Sequence, residues 1–213
     1  ELKRLHADIT VSVWRQEASF LPDLKDGSRK VLELHTSKFA PVRMYPVGSK
    51  LKRQFGHLRV VIQERVAARY DRFVILTHEE KPFWKGFSNL SVIPNPLSFK
   101  PQKRADASAH RVMIAGRMEY VKNFPELLQI WARVAPDFPD WQLHIYGDGW
   151  MLDALKNKAD VLGIAPQVIF EGAVSDMETA YASSSIYVMT SHFEGLPMVL
   201  IEAQSVGLPA VSY

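Results

Sequence analysis

Apolar residues recur along the chain as short continuous runs, and the stretches between several of them repeat at three and four residues. In the first half, DITVSV (8–13), RKVLELHTS (29–37) and DRFVILT (71–77) read as strands, and SVIPNP (91–96) is held extended by its prolines. Residues 49–70 predict a helix. Leu51, Phe55, Leu58, Ile62, Val66 and Tyr70 fall on one stripe, with Lys50, Lys52, Arg53, Arg59, Arg65 and Arg69 mostly off it. A short helix is expected over 79–87. Residues 98–109 have turn and charged composition without an apolar period, which predicts a linker between a first lobe (1–97) and a second (110–213).

The second half is more regular. HRVMIAG (110–116), WQLHIYG (141–147), QVIFEG (167–172), SIYVMTS (185–191) and LPAVSY (208–213) predict strands. Between them lie helical stretches: one capped by Asn123 and running to about Ala135, one over 150–163, one capped by Ser175, and one opened by Pro197. Strands alternating with helices predict an α/β protein with parallel sheets covered on both faces. In such sheets ligands bind beyond the carboxyl ends of the strands, which singles out the loops 116–124, 147–150, 172–175 and 191–197.

Composition narrows the chemistry. The chain has 213 residues and no cysteine, so disulfides, a cysteine nucleophile and thiolate metal sites are excluded. It contains no apolar run long enough to span a bilayer, and the stretch from Glu1 to Thr10 has no signal-peptide core. The net charge of +3 is unevenly spread. Residues 1–110 carry 20 Lys plus Arg against 11 Asp plus Glu, and residues 111–213 carry 6 against 12. A basic first lobe fits phosphates or an anionic membrane surface, although a merely solvated face has the same composition.

Three of the loops carry candidate chemistry. In SHFEGLPMVLIEA (191–203), Glu194 precedes and Glu202 lies within the helix that Pro197 opens. The amides of Gly195, Leu196 and Met198 surround the helix N-terminus, which attracts phosphate, and Glu202 can accept hydrogen bonds from ribose hydroxyls. Both glutamates also fit exposed acids, but Glu202 follows the apolar run 198–201 directly. In GRMEYVKN (116–123), Gly116 ends a strand, and Arg117 and Lys122 can clamp a diphosphate or be plain surface charges. In YGDGW (146–150), Gly147 and Asp148 allow close backbone approach, a feature common to many strand ends. His35, at a strand end, fits a substrate contact or a structural histidine. No His/Asp/Glu cluster has metal-ligand spacing.

Together, VIPNPL (92–97), GRMEYVKNF (116–124), IYGDG (145–149), VIFEGAV (168–174) and FEGLPMVLIEAQSVGLPAVS (193–212) resemble glycosyltransferase family 4, the retaining nucleotide-sugar enzymes of the GT-B fold. The resemblance implies two Rossmann-like lobes, the first incomplete and the second nearly complete, in an excerpt of a longer enzyme that is inactive by itself. It implies that Arg117 and Lys122 hold the donor diphosphate, that Glu202 binds the ribose, and that Glu194 and His35 lie at the transferred sugar. The implied donor is a UDP-sugar. The implied acceptor is a saccharide or lipid-linked saccharide of a bacterial surface polysaccharide, with no cofactor, no metal and no nucleic acid. The expected setting is the cytoplasm, peripheral on the inner face of the membrane. A non-catalytic nucleotide-sugar-binding module, or an epimerase or phosphorylase of the same fold, is the alternative.

Overall fold

The computed structural model describes residues 4, 6–45 and 48–212. The chain divides into two compact units, Glu1–Asn95 with Phe193–Leu196, and Pro96–His192 with Pro197–Tyr213. Segment 98–109 lies within the second unit, where Ala105 and Asp106 donate their N–H groups to the carbonyls of Val206 and Ala182.

The first unit is a parallel sheet in the order β1 (Ile9–Ser12), β2 (Arg29–Leu34), β3 (Arg72–Ile75) and β4 (Leu90–Val92). Leu32, Leu34, Phe73 and Ile75 alternate onto one face, where they meet Ala18, Leu21, Val66, Ala67 and the buried Trp84. Two helices follow β2: the single turn α1 (Ala40–Arg43), which the sequence did not announce, and α2 (Lys50–Ala67). The expected helix over 79–87 is only a 3₁₀ turn, Lys81–Trp84.

Helix α2 forms where its periodicity predicts, but of its six-residue stripe only Val66 and Tyr70 are buried. A stripe such as Leu51, Phe55, Leu58 and Ile62 ordinarily faces the core. Here all four are exposed, and the buried residues are Gly56, Val60, Gln63, Val66 and Ala67. The cause is Gly56. A Cβ there would lie 2.5 Å from the Pro41 carbonyl oxygen and 2.8 Å from the Val42 Cα. The glycine face is therefore the one that lets α1 pack backbone-close.

The second unit is a parallel sheet in the order β7 (Val168–Gly172), β6 (Gln142–Tyr146), β5 (Arg111–Ala115), β8 (Ile186–Met189) and β9 (Ala210–Ser212). Helices α3 (Phe124–Val134) and α4 (Leu152–Val161) cover one face, packing on Val112, Ile114, Leu143 and Ile145. Helices α5 (Met177–Ala182) and α6 (Met198–Ser205) cover the other, where Met113, Ala115, Tyr181, Tyr187, Ala203 and Val206 are buried. The near-continuous apolar strands are what a sheet buried on both faces requires.

Both expected caps differ from the structure. Asn123 sits in the left-handed region at φ 53°, and its side chain makes no capping bond. Asp176, one residue past the expected Ser175, caps α5 by accepting from the Thr179 N–H at 3.0 Å. Of the second unit's aromatics, Trp131 and Tyr146 are buried, whereas Phe138 and Trp150 are exposed.

His144 on β6 is buried, with Nδ1 2.6 Å from Glu171 Oε1. Burial lowers its pKa from the ordinary 6.5, partly opposed by the Glu171 hydrogen bond. The unfolded chain therefore takes up this proton first as pH falls, so folding stability is full above about pH 6.5 and declines below it. His144→Gln is expected to flatten the decline in urea midpoint between about pH 6.5 and 5, and a decline equal to the parent's would show that His144 does not cause it.

Candidate functional site

In the second sheet the chain runs outward from β5 through β6 to β7 on one side, and through β8 to β9 on the other. The carboxyl ends of β5 and β8 therefore flank a topological switch point, the place beyond which open α/β sheets bind their ligands. Residues 116–123 follow β5 and residues 190–192 follow β8. The two segments are tied together. Thr190 Oγ1 donates to the carbonyls of Lys122 at 3.0 Å and Asn123 at 3.3 Å. The His192 N–H donates to the Val121 carbonyl at 2.8 Å, and its ring lies 4.8 Å from that of Tyr120. This bracing role of His192 carries no spacing signal in the sequence.

Gly116 directly follows β5 at φ +151°, and a Cβ there would come within 3.0 Å of Lys122 Cε. The half-buried lysine stem thus folds back over the strand end, and glycine leaves it room. Arg117 is largely exposed, with Nη1 3.3 Å from Glu119 Oε1. Gly147 follows β6, and a Cβ on it would sit 2.1 Å from the Gly116 carbonyl oxygen. That glycine is imposed by two strand ends meeting. Asp148 is exposed, and its main-chain carbonyl accepts the Met118 N–H at 2.6 Å. The 146–150 loop therefore braces the segment that carries Arg117 and Lys122.

Pro197 stands at the cap position of α6 and supplies no side-chain cap. Its carbonyl accepts from both Leu200 at 3.0 Å and Ile201 at 3.2 Å. The amides of Met198 and Val199 open the helix, at the end where the backbone carries partial positive charge. Phe193–Leu196, including Glu194, count with the first unit. There Gly195 lies against the backbone, so close that a Cβ would be 2.7 Å from the His35 carbonyl oxygen and 2.8 Å from Thr36 Cα. His35, at the end of β2, is half exposed, with Nε2 3.1 Å from Glu33 Oε2. His35 and Glu194 thus belong to one unit, while Arg117, Lys122 and Glu202 belong to the other.

Glu202 is buried, as its place after an apolar run suggested. Its Oε1 accepts from Ser98 Oγ at 2.7 Å and its Oε2 from Tyr181 OH at 2.8 Å. Each oxygen keeps a further lone pair for a ligand donor. Burial and the neighbouring carboxylate push the Tyr181 phenol far up, so it remains a hydrogen-bond donor. Neither partner was found from sequence, for they stand 104 and 21 residues away. Among the described residues no group of three or more His, Cys, Asp or Glu can hold a metal ion, and no helix is long and apolar enough to cross a membrane.

A family model described as Glycosyl transferases group 1 matches residues 98–213. The chain is 36% identical over 170 residues to an "Uncharacterized glycosyltransferase" of Haemophilus influenzae, covering 78% of this chain and 46% of that protein. It is 33% identical over 153 residues to the amylovoran biosynthesis glycosyltransferase AmsD of Erwinia amylovora, covering 67% and 43%. It therefore spans a little under half the length of these two relatives. Among solved structures, a mutant of S. aureus TarM in complex with Fondaparinux, alpha-GlcNAc-glycerol and UDP superposes with a TM-score of 0.82 at 18% identity, covering 100% of this chain and 43% of that one. That likeness shows the GT-B fold.

Proposed function

The chain belongs to the family of group 1 glycosyl transferases, and from that premise we propose that the whole protein transfers a sugar from a UDP-sugar to a saccharide or lipid-linked saccharide in bacterial surface polysaccharide synthesis. The observation that carries the reading is the β5/β8 switch point, with Lys122 folded over one strand end and the segments beyond both strands tied by Thr190 and His192. A UDP-sugar fits this reading because TarM was crystallised with UDP, and a polysaccharide product fits the AmsD relationship.

In this reading the diphosphate lies by Arg117, Lys122 and the first amides of α6. As the bond from the sugar to the diphosphate oxygen breaks, negative charge grows on that oxygen. Fixed cations and amide dipoles stabilise it without reorganising, and transfer needs no added metal. The acceptor hydroxyl attacks from the leaving-group side, which gives retention, while Glu194 and His35 orient the sugar. Glu202 holds the ribose through its unused lone pairs. The basic first half, with 20 Lys plus Arg against 11 Asp plus Glu, suits an acceptor presented at an anionic membrane surface on the cytoplasmic side.

The test uses the full-length protein with UDP-, GDP- and ADP-sugars and free or lipid-linked saccharide acceptors. UDP-sugars are expected to give the largest thermal shift, and UDP release is expected to depend on acceptor and to survive a chelator. Binding without acceptor-dependent release across the panel would favour a non-catalytic module and overturn the enzyme reading. A chelator that abolishes release would overturn its metal independence.

A further inference from the structure

Two buried lysines stand near the two ends of β2, and they are held in different ways. Lys30, on the entering side, donates from Nζ to the Ser28 hydroxyl at 2.6 Å and the Ser28 carbonyl at 3.0 Å, and it pairs with Asp26. These partners lie within four residues, so Lys30 locks only the turn that leads into the strand. Lys38 lies four residues past Leu34, where β2 ends. Its partners come from distant parts of the chain. Its Nζ pairs with Glu64 of α2, donates to the Phe83 carbonyl in the 3₁₀ turn, and stands 4.6 Å from the centre of the Trp84 ring. Its main-chain N–H donates to Glu80 Oε2 at 3.0 Å. Side chain and main chain are thus fixed separately.

Stability alone does not call for an ammonium at this place. Replacing a buried ion pair by apolar groups of similar volume is often neutral or stabilising, and the rings of Trp84 and Phe39 already border the side chain. What an ammonium bonded to two elements adds is direction, because its acceptors fix where the chain that carries it can stand. That chain is the exit from β2. The pairing of β2 with β3 ends at Leu34 and Ile75. Beyond it come His35 and Thr36, against whose backbone Gly195 is pressed too closely for a Cβ. The carboxyl end is where a parallel sheet binds its ligands, and Lys30 lies at the opposite end.

We propose that Lys38 is a positioning residue for sugar transfer. By fastening the exit of β2 to α2 and to the 3₁₀ turn, it sets where the His35 side chain stands, and it acts on the chemical step through His35. This rests on the transferase reading, with His35 at the transferred sugar, and it adds a buried residue that touches no substrate.

The experiment uses the full-length protein with whichever UDP-sugar and saccharide acceptor of the panel release UDP fastest. Lys38→Met keeps the length of the side chain and removes its charge. It is expected to lower kcat about 10- to 100-fold, the effect of a small misplacement of an orienting group. The KM for the UDP-sugar should stay within about twofold, since Arg117, Lys122 and α6 belong to the other unit. Lys30→Met, an equally buried lysine at the far end of the strand, should lower the melting temperature and leave kcat unchanged. The double variant His35→Ala, Lys38→Met should be no slower than His35→Ala alone, because a residue that acts through His35 then has nothing left to position.

The proposal is overturned if Lys38→Met keeps the parent's kcat, or if the losses from Lys38→Met and His35→Ala multiply in the double variant. It is also overturned if Lys30→Met slows turnover as much as Lys38→Met, for then any weakening of the unit has the same effect. Should Lys38→Met not fold, Glu64→Gln carries the same test, since it removes the charge of the partner, keeps an acceptor oxygen and changes a side chain that is partly exposed. Its loss of kcat should likewise vanish in the His35→Ala background. A parent that releases no UDP with any acceptor would overturn the transferase reading and this role with it. An active parent matched by Lys38→Met and by Glu64→Gln would overturn the role alone.

Discussion

Lys122→Ala is expected to weaken UDP binding by about 1.5–3 kcal/mol, the worth of a charge-assisted hydrogen bond, or about 10- to 150-fold in Kd. The side chain lies over the Gly116 strand end at the switch point. Its main-chain carbonyl, not its side chain, receives the Thr190 hydroxyl, so truncation leaves the tie between the two loop segments intact. Calorimetry of UDP with parent and variant checks the claim. The difference should shrink as salt rises, because part of it is coulombic and reaches solvent. An unchanged Kd would refute the placement of the diphosphate beside Lys122. Arg117→Ala should cost less, since that guanidinium is largely exposed and already faces Glu119.

How far the fold could be read from the sequence depended on what each element buries. The strands of the second unit are covered on both faces, so they appear as continuous apolar runs and were located to within a few residues. Helix α2 was found from its period, but period tells only which residues share a face. Which face turns inward was set by Gly56 and the backbone of Pro41 and Val42, a contact between residues 14 and 15 positions apart that no local pattern encodes. The same limit applies to the site. Gly116, Arg117, Lys122 and Gly147 stood out as residues at strand ends. The reason Gly147 must be glycine is the Gly116 carbonyl 2.1 Å from where its Cβ would be, which is a tertiary fact. Asn123 was a reasonable cap by type, but its left-handed backbone leaves its side chain out of the capping bond.

Glu202 is the residue whose substitution carries two effects that must be separated. Glu202→Ala removes the acceptor of the Tyr181 hydroxyl, which is fully buried, and of the Ser98 hydroxyl. Orphaning a buried hydroxyl costs about 1–3 kcal/mol, so the variant should melt lower even without nucleotide. If the remaining lone pairs also accept the ribose hydroxyls, UDP affinity should fall by about 1.5–3 kcal/mol in addition, as for a hydrogen bond to a charged group. Tyr181→Phe discriminates between the two. It removes a donor from Glu202 while keeping the carboxylate and most of the packing, so it should lower stability yet change UDP affinity less than Glu202→Ala. The decisive ligand is UDP lacking the 2′ and 3′ hydroxyls. The parent should bind it more weakly than UDP, and Glu202→Ala should bind it about as well as the parent does, because the interaction is missing in both. Should the alanine variant lose as much affinity for the dideoxy nucleotide as for UDP, Glu202 would act only by holding Ser98 and Tyr181 in place, and the ribose contact would have to be assigned to another residue.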